Sequence, residues 1–165
     1  MEMLRTVRER VKRNKRDLFL IGLWTIALAL IIIRTHQQFY IDHPEIAARG
    51  VGFLSYAGPT FSEVELAIVL LVSALVSFFL VSVRSVIYGY FAAIVFSCSA
   101  ATVYIYLYNW YVLELANVFA ELAYGWEWVL FMAIINIFRY VFPIGITFSL
   151  IGTVLGTVAR TLLNR

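Results

Sequence analysis

The chain has 165 residues, of which 62% are hydrophobic and 14% charged, and its formal net charge is +3. This length suits one compact helical bundle and leaves too little material for a separate soluble domain. Because Cys98 is the single cysteine, one chain cannot form an internal disulfide or a multi-cysteine metal site.

Four long stretches with almost no charge dominate the sequence. They are Leu18–Ile33, Val64–Val83, Val86–Leu113 and Trp128–Val158. A helix needs about 20 apolar residues to cross the hydrocarbon of a bilayer, so stretches of this kind are typical of membrane spans. The sequence therefore predicts an all-α fold, an integral membrane four-helix bundle that forms a single transmembrane domain over residues 1–165.

Residues 1–17 are strongly basic. They contain Arg5, Arg8, Arg10, Lys12, Arg13, Lys15 and Arg16. Basic residues collect on cytoplasmic flanks, so we expect the N-terminus and, after four crossings, the C-terminus in the cytoplasm. The same side chains are candidate ligands for anionic lipid headgroups, since each contributes about 1 kcal/mol near such a surface. The alternative is an ordinary orientation signal, and a short cluster without aromatic residues does not favour nucleic acid.

The segment 34–62 is mostly polar, and this topology makes it an outer loop. The first span is interpreted as an uncleaved signal anchor, because no small-x-small cleavage site follows it promptly. Ser62 and Glu65 have the spacing of a capping box at the start of the second span. Arg84 and Ser85 leave only a tight turn, which predicts an antiparallel hairpin of the second and third spans.

The third and fourth helices are predicted to be longer than the membrane is thick. Helices over Val86–Tyr124 and Trp126–Arg160 would be about 58 and 52 Å long, against a hydrocarbon core of about 30 Å. We expect them to project on the outer side as a hairpin, Val112–Phe138, that turns at Gly125. Pro143 lacks a backbone donor, which predicts a kink in the fourth helix.

The fourth span carries five small residues on one helix face. They are Gly145, Ser149, Gly152, Gly156 and Ala159. Small faces let helices approach closely in lipid, so we expect this face to pack against another helix. That helix could belong to the same chain or to another subunit. A second small cluster in the third span, Gly89, Ala93 and Ser97, could face it.

Arg139 is the single charged residue within the fourth apolar stretch. Its place about 20 residues before Val158 predicts a position near the outer interface, where the side chain can snorkel to water. Glu114 and Glu121 are candidates for charge pairing with it. The alternatives are pairing within a complex and a role in an ion or substrate pathway.

Residues for metal binding or catalysis are sparse. The grouping most similar to a metal site is His36, Asp42, His43 and Glu45, but its spacing matches no common site, and we expect both histidines at the surface of a wet loop. No nucleophile arrangement and no glycine-rich phosphate loop is evident. The sequence therefore predicts no catalytic residue, metal site or cofactor, and it disfavours an enzyme.

These features favour a non-catalytic accessory or structural subunit of a membrane protein complex in the plasma (cell) membrane. Its partners would be membrane lipids, including anionic headgroups, and other membrane subunits or further copies of itself. The alternative is a homo-oligomeric channel or small transporter with pore residues Ser73, Ser77, Thr102, Asn136 and Arg139. Ion pathways usually contain more polar groups than these spans do.

Overall fold

The computed structural model describes residues 2–42, 60–112 and 125–163, with side chains from residue 15 onward and without that of Tyr140. Within these ranges every regular element is helical, as the sequence predicts. The α-helices are α1 (Glu2–Asp42), α2 (Glu63–Phe79), α3 (Val83–Tyr111), α4 (Trp126–Tyr140) and α5 (Ile146–Leu163).

Three helical stretches of the described chain are long and apolar enough to cross a membrane. They are Lys15–Asp42, Val83–Tyr111 and Trp126–Leu163, and the last contains both α4 and α5. The remaining helix, α2, has 17 residues and is therefore about 26 Å long. The four predicted bundle helices correspond to α1, α2, α3 and the α4–α5 pair.

Helices α1 and α2 run antiparallel and are bonded near both ends of their contact. At one end the Arg16 guanidinium donates to the Phe79 carbonyl oxygen over 3.3 Å. At the other end the Thr35 hydroxyl lies 2.9 Å from Glu65 Oε1, to which it donates. Helix α2 therefore lies along the apolar part of α1 over its whole length.

Helices α1 and α3 run parallel. A Cβ placed on Gly89 would lie 2.9 Å from Cγ1 of Ile21, and further along both helices the Gln37 amide donates to the Tyr104 hydroxyl. Gly89 was expected to face the small residues of α5. It faces α1 instead, because Ile21 lies directly opposite it.

Two opposite ends of the bundle differ in character. The basic end holds Arg16, Arg84 and Arg160, and the aromatic end holds Tyr40, Tyr104 and Tyr108. Arg160 reaches the basic end because its guanidinium donates to the Leu80 carbonyl oxygen, directly after α2.

Helix α5 packs on α2 of the same chain, and the two run parallel. A Cβ on Gly152 would lie 3.0 Å from the Leu70 carbonyl carbon, and a Cβ on Gly156 would lie 2.8 Å from that of Ala74. The carbonyl oxygens of Leu70 and Ala74 lie closer still. No side chain fits at either glycine without moving the backbone of α2.

The predicted kink at Pro143 is confirmed. Helices α4 and α5 are separated by a break over Val141–Gly145, in which Phe142 has extended backbone angles of φ −101° and ψ 140°. The Phe142–Pro143 peptide bond is cis. The break lets the chain change partners, because residues of α4 join the apolar cluster with α3, whereas α5 packs on α2.

The predicted start signal of α2, a capping box, is also confirmed. Ser62 Oγ accepts a hydrogen bond from the Glu65 amide over 3.3 Å, and Glu65 Oε2 accepts one from the Ser62 amide over 2.8 Å. Helix α4 begins directly after Gly125. The first half of the predicted outer hairpin, residues 113–124 with Glu114 and Glu121, lies outside the described residues.

The predicted turn between the second and third spans was wrong by a few residues. It lies before Arg84, because Ser82 caps α3 by accepting a hydrogen bond from the Ser85 amide over 3.0 Å. A serine at a helix start accepts a hydrogen bond from an amide that would otherwise be free. Ser82 therefore marks the start of α3 better than the charge of Arg84 does. Arg84 is therefore inside α3.

The beginning of the predicted loop 34–62 was also wrong, since α1 continues to Asp42. Its last turns have packing partners that the sequence analysis did not foresee. Thr35 bonds to α2, and the Tyr40 side chain is buried. Residues 34–42 therefore belong to α1 and contact the neighbouring helices.

Replacing Gly152 or Gly156 with alanine should lower the free energy of unfolding by about 2 kcal/mol, because the added Cβ overpacks against a backbone that cannot yield. The matched control is Gly22→Ala, since a Cβ there meets no atom within 4 Å. Alanine is the better helix former, so the control should be neutral or stabilising by up to about 1 kcal/mol. Denaturation in detergent measures the free energy of unfolding of all three variants. Equal changes at the three glycines would contradict the close contact between α5 and α2.

Candidate functional site

The centre of the bundle contains a buried hydrogen-bond network that joins three helices. Trp24 Nε1 of α1 donates to Ser73 Oγ of α2 over 3.2 Å, and Ser73 Oγ lies 2.9 Å from Ser149 Oγ of α5. All three side chains are almost completely inaccessible. Because hydrocarbon offers no hydrogen-bond partners, such a network satisfies polar groups that would otherwise be costly to bury.

Other hydroxyl groups in the apolar stretches bond back to their own helices. The donors with their carbonyl acceptors are Ser77 with Ser73, Thr102 with Cys98, Thr153 with Ser149 and Thr157 with Thr153, at 2.6 to 2.8 Å. Three of the pore candidates, Ser73, Ser77 and Thr102, are therefore engaged in bonds within the bundle. They do not present free hydroxyl groups to a passage.

A small cavity lies beside this network and beside the break before α5. Its volume is about 20 Å³, and Ser97, Gly145 and Ser149 contribute to a lining that is otherwise apolar. This is room for about one water molecule. Sites for small molecules are typically about 300 to 1,000 Å³, so this cavity does not accommodate a substrate.

The aromatic end contains a second buried polar group, His36. Its ring packs edge-on against Tyr40 and Tyr108, with ring centroids 5.0 and 5.5 Å away, and the Asn109 side chain faces it. The expectation that His36 lies at the surface of a wet loop was wrong, because α1 continues past it and α3 covers it. His36 and Asn109 thus form part of the contact between α1 and α3.

This burial separates His36 from the residues grouped with it in the sequence. Asp42 is exposed at the end of α1, and His43 and Glu45 lie outside the described residues. Across the described ranges, no three His, Cys, Asp or Glu side chains come together as a metal site requires.

Arg139 is exposed in the last turn of α4. It makes no hydrogen bond or ion pair with a residue that the structure describes, and its predicted partners Glu114 and Glu121 lie outside that part of the chain. Phe138 and Phe142 stack beside it with ring centroids 4.8 Å apart. Asn136, the remaining pore candidate, is buried one turn earlier.

The candidate headgroup ligands all lie on α1. Lys15 and Arg16 are exposed. The side chains of Arg5, Arg8, Arg10, Lys12 and Arg13 lie outside the description, although the backbone of each is helical.

The burial of the small-residue face of α5 is described for all five residues. Gly145, Ser149, Gly152 and Gly156 are buried, and Ala159 is exposed.

Comparisons with protein-family models, with curated proteins and with solved structures found no match to this chain. Functional inference therefore depends on the geometry described above.

The sequence analysis missed the role of Trp24. Tryptophan in spans is enriched at the interfaces, and a buried one usually finds a partner for its N–H group. Trp24, seven residues into the first apolar stretch, was therefore a signal that a hydroxyl acceptor such as Ser73 lies opposite.

Replacing Ser73 with alanine removes the acceptor for Trp24 and a partner of Ser149, so the free energy of unfolding should fall by about 1 to 3 kcal/mol. The matched control, Ser99→Ala, removes an exposed hydroxyl that bonds only to its own helix and should change stability by less than about 0.5 kcal/mol. A double-mutant cycle of Ser73→Ala with Ser149→Ala should give a coupling of about 0.5 to 1.5 kcal/mol. Strict additivity would contradict a shared network.

Proposed function

We propose that this protein is an integral membrane four-helix bundle of the cell membrane that serves as a non-catalytic accessory or structural subunit of a membrane protein complex. The proposal depends on the observation that buried polar side chains form hydrogen bonds within the bundle. The described hydroxyls at the bundle centre bond to other helices or to their own backbone. These bonds support packing between helices, which is what a structural subunit requires.

Insertion of all four helices is supported by the contacts of α2. This helix is short, but it is bonded to α1 through Arg16 at the basic end and through Thr35 at the aromatic end. If α1 crosses a bilayer, α2 crosses beside it. The Gly152 and Gly156 contacts extend the same reasoning to α5.

The spacing of charges supports the same placement. Arg16 and Arg34 are 18 residues apart on α1, which corresponds to about 27 Å. Arg139 and Arg160 are 21 residues apart, or about 32 Å if the rise were uniformly helical. Both separations approximate the hydrocarbon thickness of about 30 Å, so each pair can place one charge at each interface.

We place the basic end in the cytoplasm, which follows from the basic residues of α1. The test uses single cysteines, Asp42→Cys and Thr161→Cys, in a Cys98→Ser background, since both positions are exposed. A membrane-impermeant maleimide should label position 42 in intact cells and position 161 only after lysis. Labelling of position 161 from outside would show that the topology is reversed or that the chain makes one crossing fewer.

An accessory subunit is favoured over a channel by the size of the central cavity, which holds about 20 Å³. An ion pathway needs a continuous series of polar groups or water-filled space. Of the pore candidates, Ser73 and Ser77 are fully buried and Arg139 is exposed on the outside of α4. The cavity at the bundle centre is therefore too small to serve as a passage within one protomer.

Arg139 is the proposed centre of a contact with another membrane subunit. An exposed arginine at the edge of an apolar stretch is most stable when an acidic group or water receives it. Phe138 and Phe142, both exposed, flank it and offer apolar contact area. A partner helix with one carboxylate among apolar residues fits this surface.

Native mass spectrometry in mild detergent tests the assignment on protein solubilised from its own membranes. The expected result is a complex that contains different chains and that Arg139→Gln weakens at least fivefold, whereas Arg139→Lys weakens it less because the charge remains. The control Arg34→Gln, exposed on α1, should leave the complex unchanged. Copies of this chain alone, together with ion flux in reconstituted vesicles, would favour the channel alternative instead.

A further inference from the structure

A groove between α3 and α5 opens on the outside of the bundle close to the basic end. Its volume is about 310 Å³. The residues that form its two walls include Val83, Ile87 and Phe91 on α3 and Val154, Val158 and Leu150 on α5. Most of these side chains are about half exposed, so the groove is accessible from the surroundings of the protein.

The polar side chains along this groove are already bonded. Thr153 and Thr157 donate to the carbonyl oxygens one turn earlier on α5, over 2.7 and 2.8 Å. The Tyr90 hydroxyl donates to the Ile146 carbonyl oxygen over 3.3 Å. The walls therefore offer an occupant apolar contact and almost no free hydrogen-bonding group.

Two arginines stand where the groove reaches the basic end. Arg84 directly follows the wall residue Val83, and Arg160 lies two residues after Val158. The Arg84 guanidinium lies 5.5 Å from the centroid of the exposed Tyr88 ring, and Arg160 donates to the Leu80 carbonyl oxygen. Each guanidinium has five N–H donors, so both retain donors for an anion.

The charge balance at this end is positive. Among acidic residues whose side chains are described, only Asp17 lies near the basic end, and it is buried on α1, which does not line the groove. The described acidic residues Asp42, Glu63, Glu65 and Glu127 lie at the starts or ends of helices at the aromatic end. Among the described side chains at this end, Arg16, Arg84 and Arg160 outnumber Asp17, so the local charge favours an anion.

We propose that the groove binds one acyl chain of an anionic phospholipid, whose phosphate lies between Arg84 and Arg160. This proposal rests on the membrane placement proposed above and is independent of the accessory role. It names a defined binding site, distinct from a general attraction of the basic N-terminal segment to a charged surface.

The length of the groove fits one leaflet. From Val83 to Phe91 the α3 wall covers eight residue steps, or about 12 Å. One leaflet contributes half of a hydrocarbon core of about 30 Å. A chain that starts at the level of Arg84 therefore remains in contact with the groove over most of its own leaflet.

The charges at the end of the groove favour a phospholipid over a helix. A helix would leave both arginines without a matching negative group unless it carried carboxylates at that level. A phospholipid supplies the thin apolar chain and the anion in one molecule.

The test measures lipid retained by the purified full-length protein in native mass spectrometry. The probes are phosphatidylglycerol and phosphatidylcholine with identical acyl chains. Wild-type protein should retain phosphatidylglycerol preferentially, and Arg84→Gln should reduce that preference about fivefold, which corresponds to about 1 kcal/mol for one basic residue. Arg34→Gln, exposed on α1 toward the aromatic end, should leave the preference unchanged.

A pair of tryptophan substitutions tests the groove itself. Val154→Trp fills it, whereas Leu155→Trp adds the same bulk to a neighbouring position that is equally exposed but does not line it. We expect Val154→Trp to reduce retained phosphatidylglycerol at least tenfold and Leu155→Trp to retain the wild-type amount. Both proteins should have the wild-type helical content by circular dichroism, which separates lost binding from lost folding.

Three outcomes would overturn the proposal. One is equal retention of the two lipids by the wild-type protein, and another is an equal effect of the two tryptophan substitutions. The third is a wild-type homodimer that Val154→Trp dissociates, which would assign the groove to a second copy. Cysteine labelling reports the topology separately, so failure of the lipid site is distinguishable from failure of the membrane placement.

Discussion

The bundle depends on the missing side chains at Gly152 and Gly156. They bring the backbone of α5 into contact with that of α2, and contacts at this distance provide dispersion energy that lipid cannot replace. Other interactions require the same approach. Ser149 reaches Ser73 over 2.9 Å, and Arg160 reaches the Leu80 carbonyl oxygen, only because α5 lies directly against α2.

The polar groups of the described bundle are arranged by depth. Trp24, Ser73 and Ser149 satisfy one another at the centre, while charged side chains occupy the two ends. An apolar exterior between those ends matches a hydrocarbon solvent, in which helices gain little from hydrophobic contact with each other. Close packing and a few buried hydrogen bonds then provide much of the specificity of the fold.

Sequence patterns predicted the helices better than their partners. Apolar length indicated the bundle, Ser62 and Glu65 indicated the start of α2, and Pro143 indicated the break, because each signal acts within a few residues. The burial of His36 and the contact of Gly89 with Ile21 depend on which helices lie adjacent. That choice is made by shape complementarity between distant segments, which the spacing of residues along one helix does not encode.

The network at Ser73 also has a consequence for biosynthesis. Ser73 and Ser149 are 76 positions apart in the chain, and the ribosome makes the α5 segment after α1 to α4. Until α5 emerges, the α2 surface at Leu70 and Ala74 lacks its covering helix, and Ser73 has only Trp24 as a partner among these side chains. Before α5 is made, α1 to α4 therefore form an incomplete intermediate, and truncations that remove α5 would leave the same α2 surface open to unrelated helices.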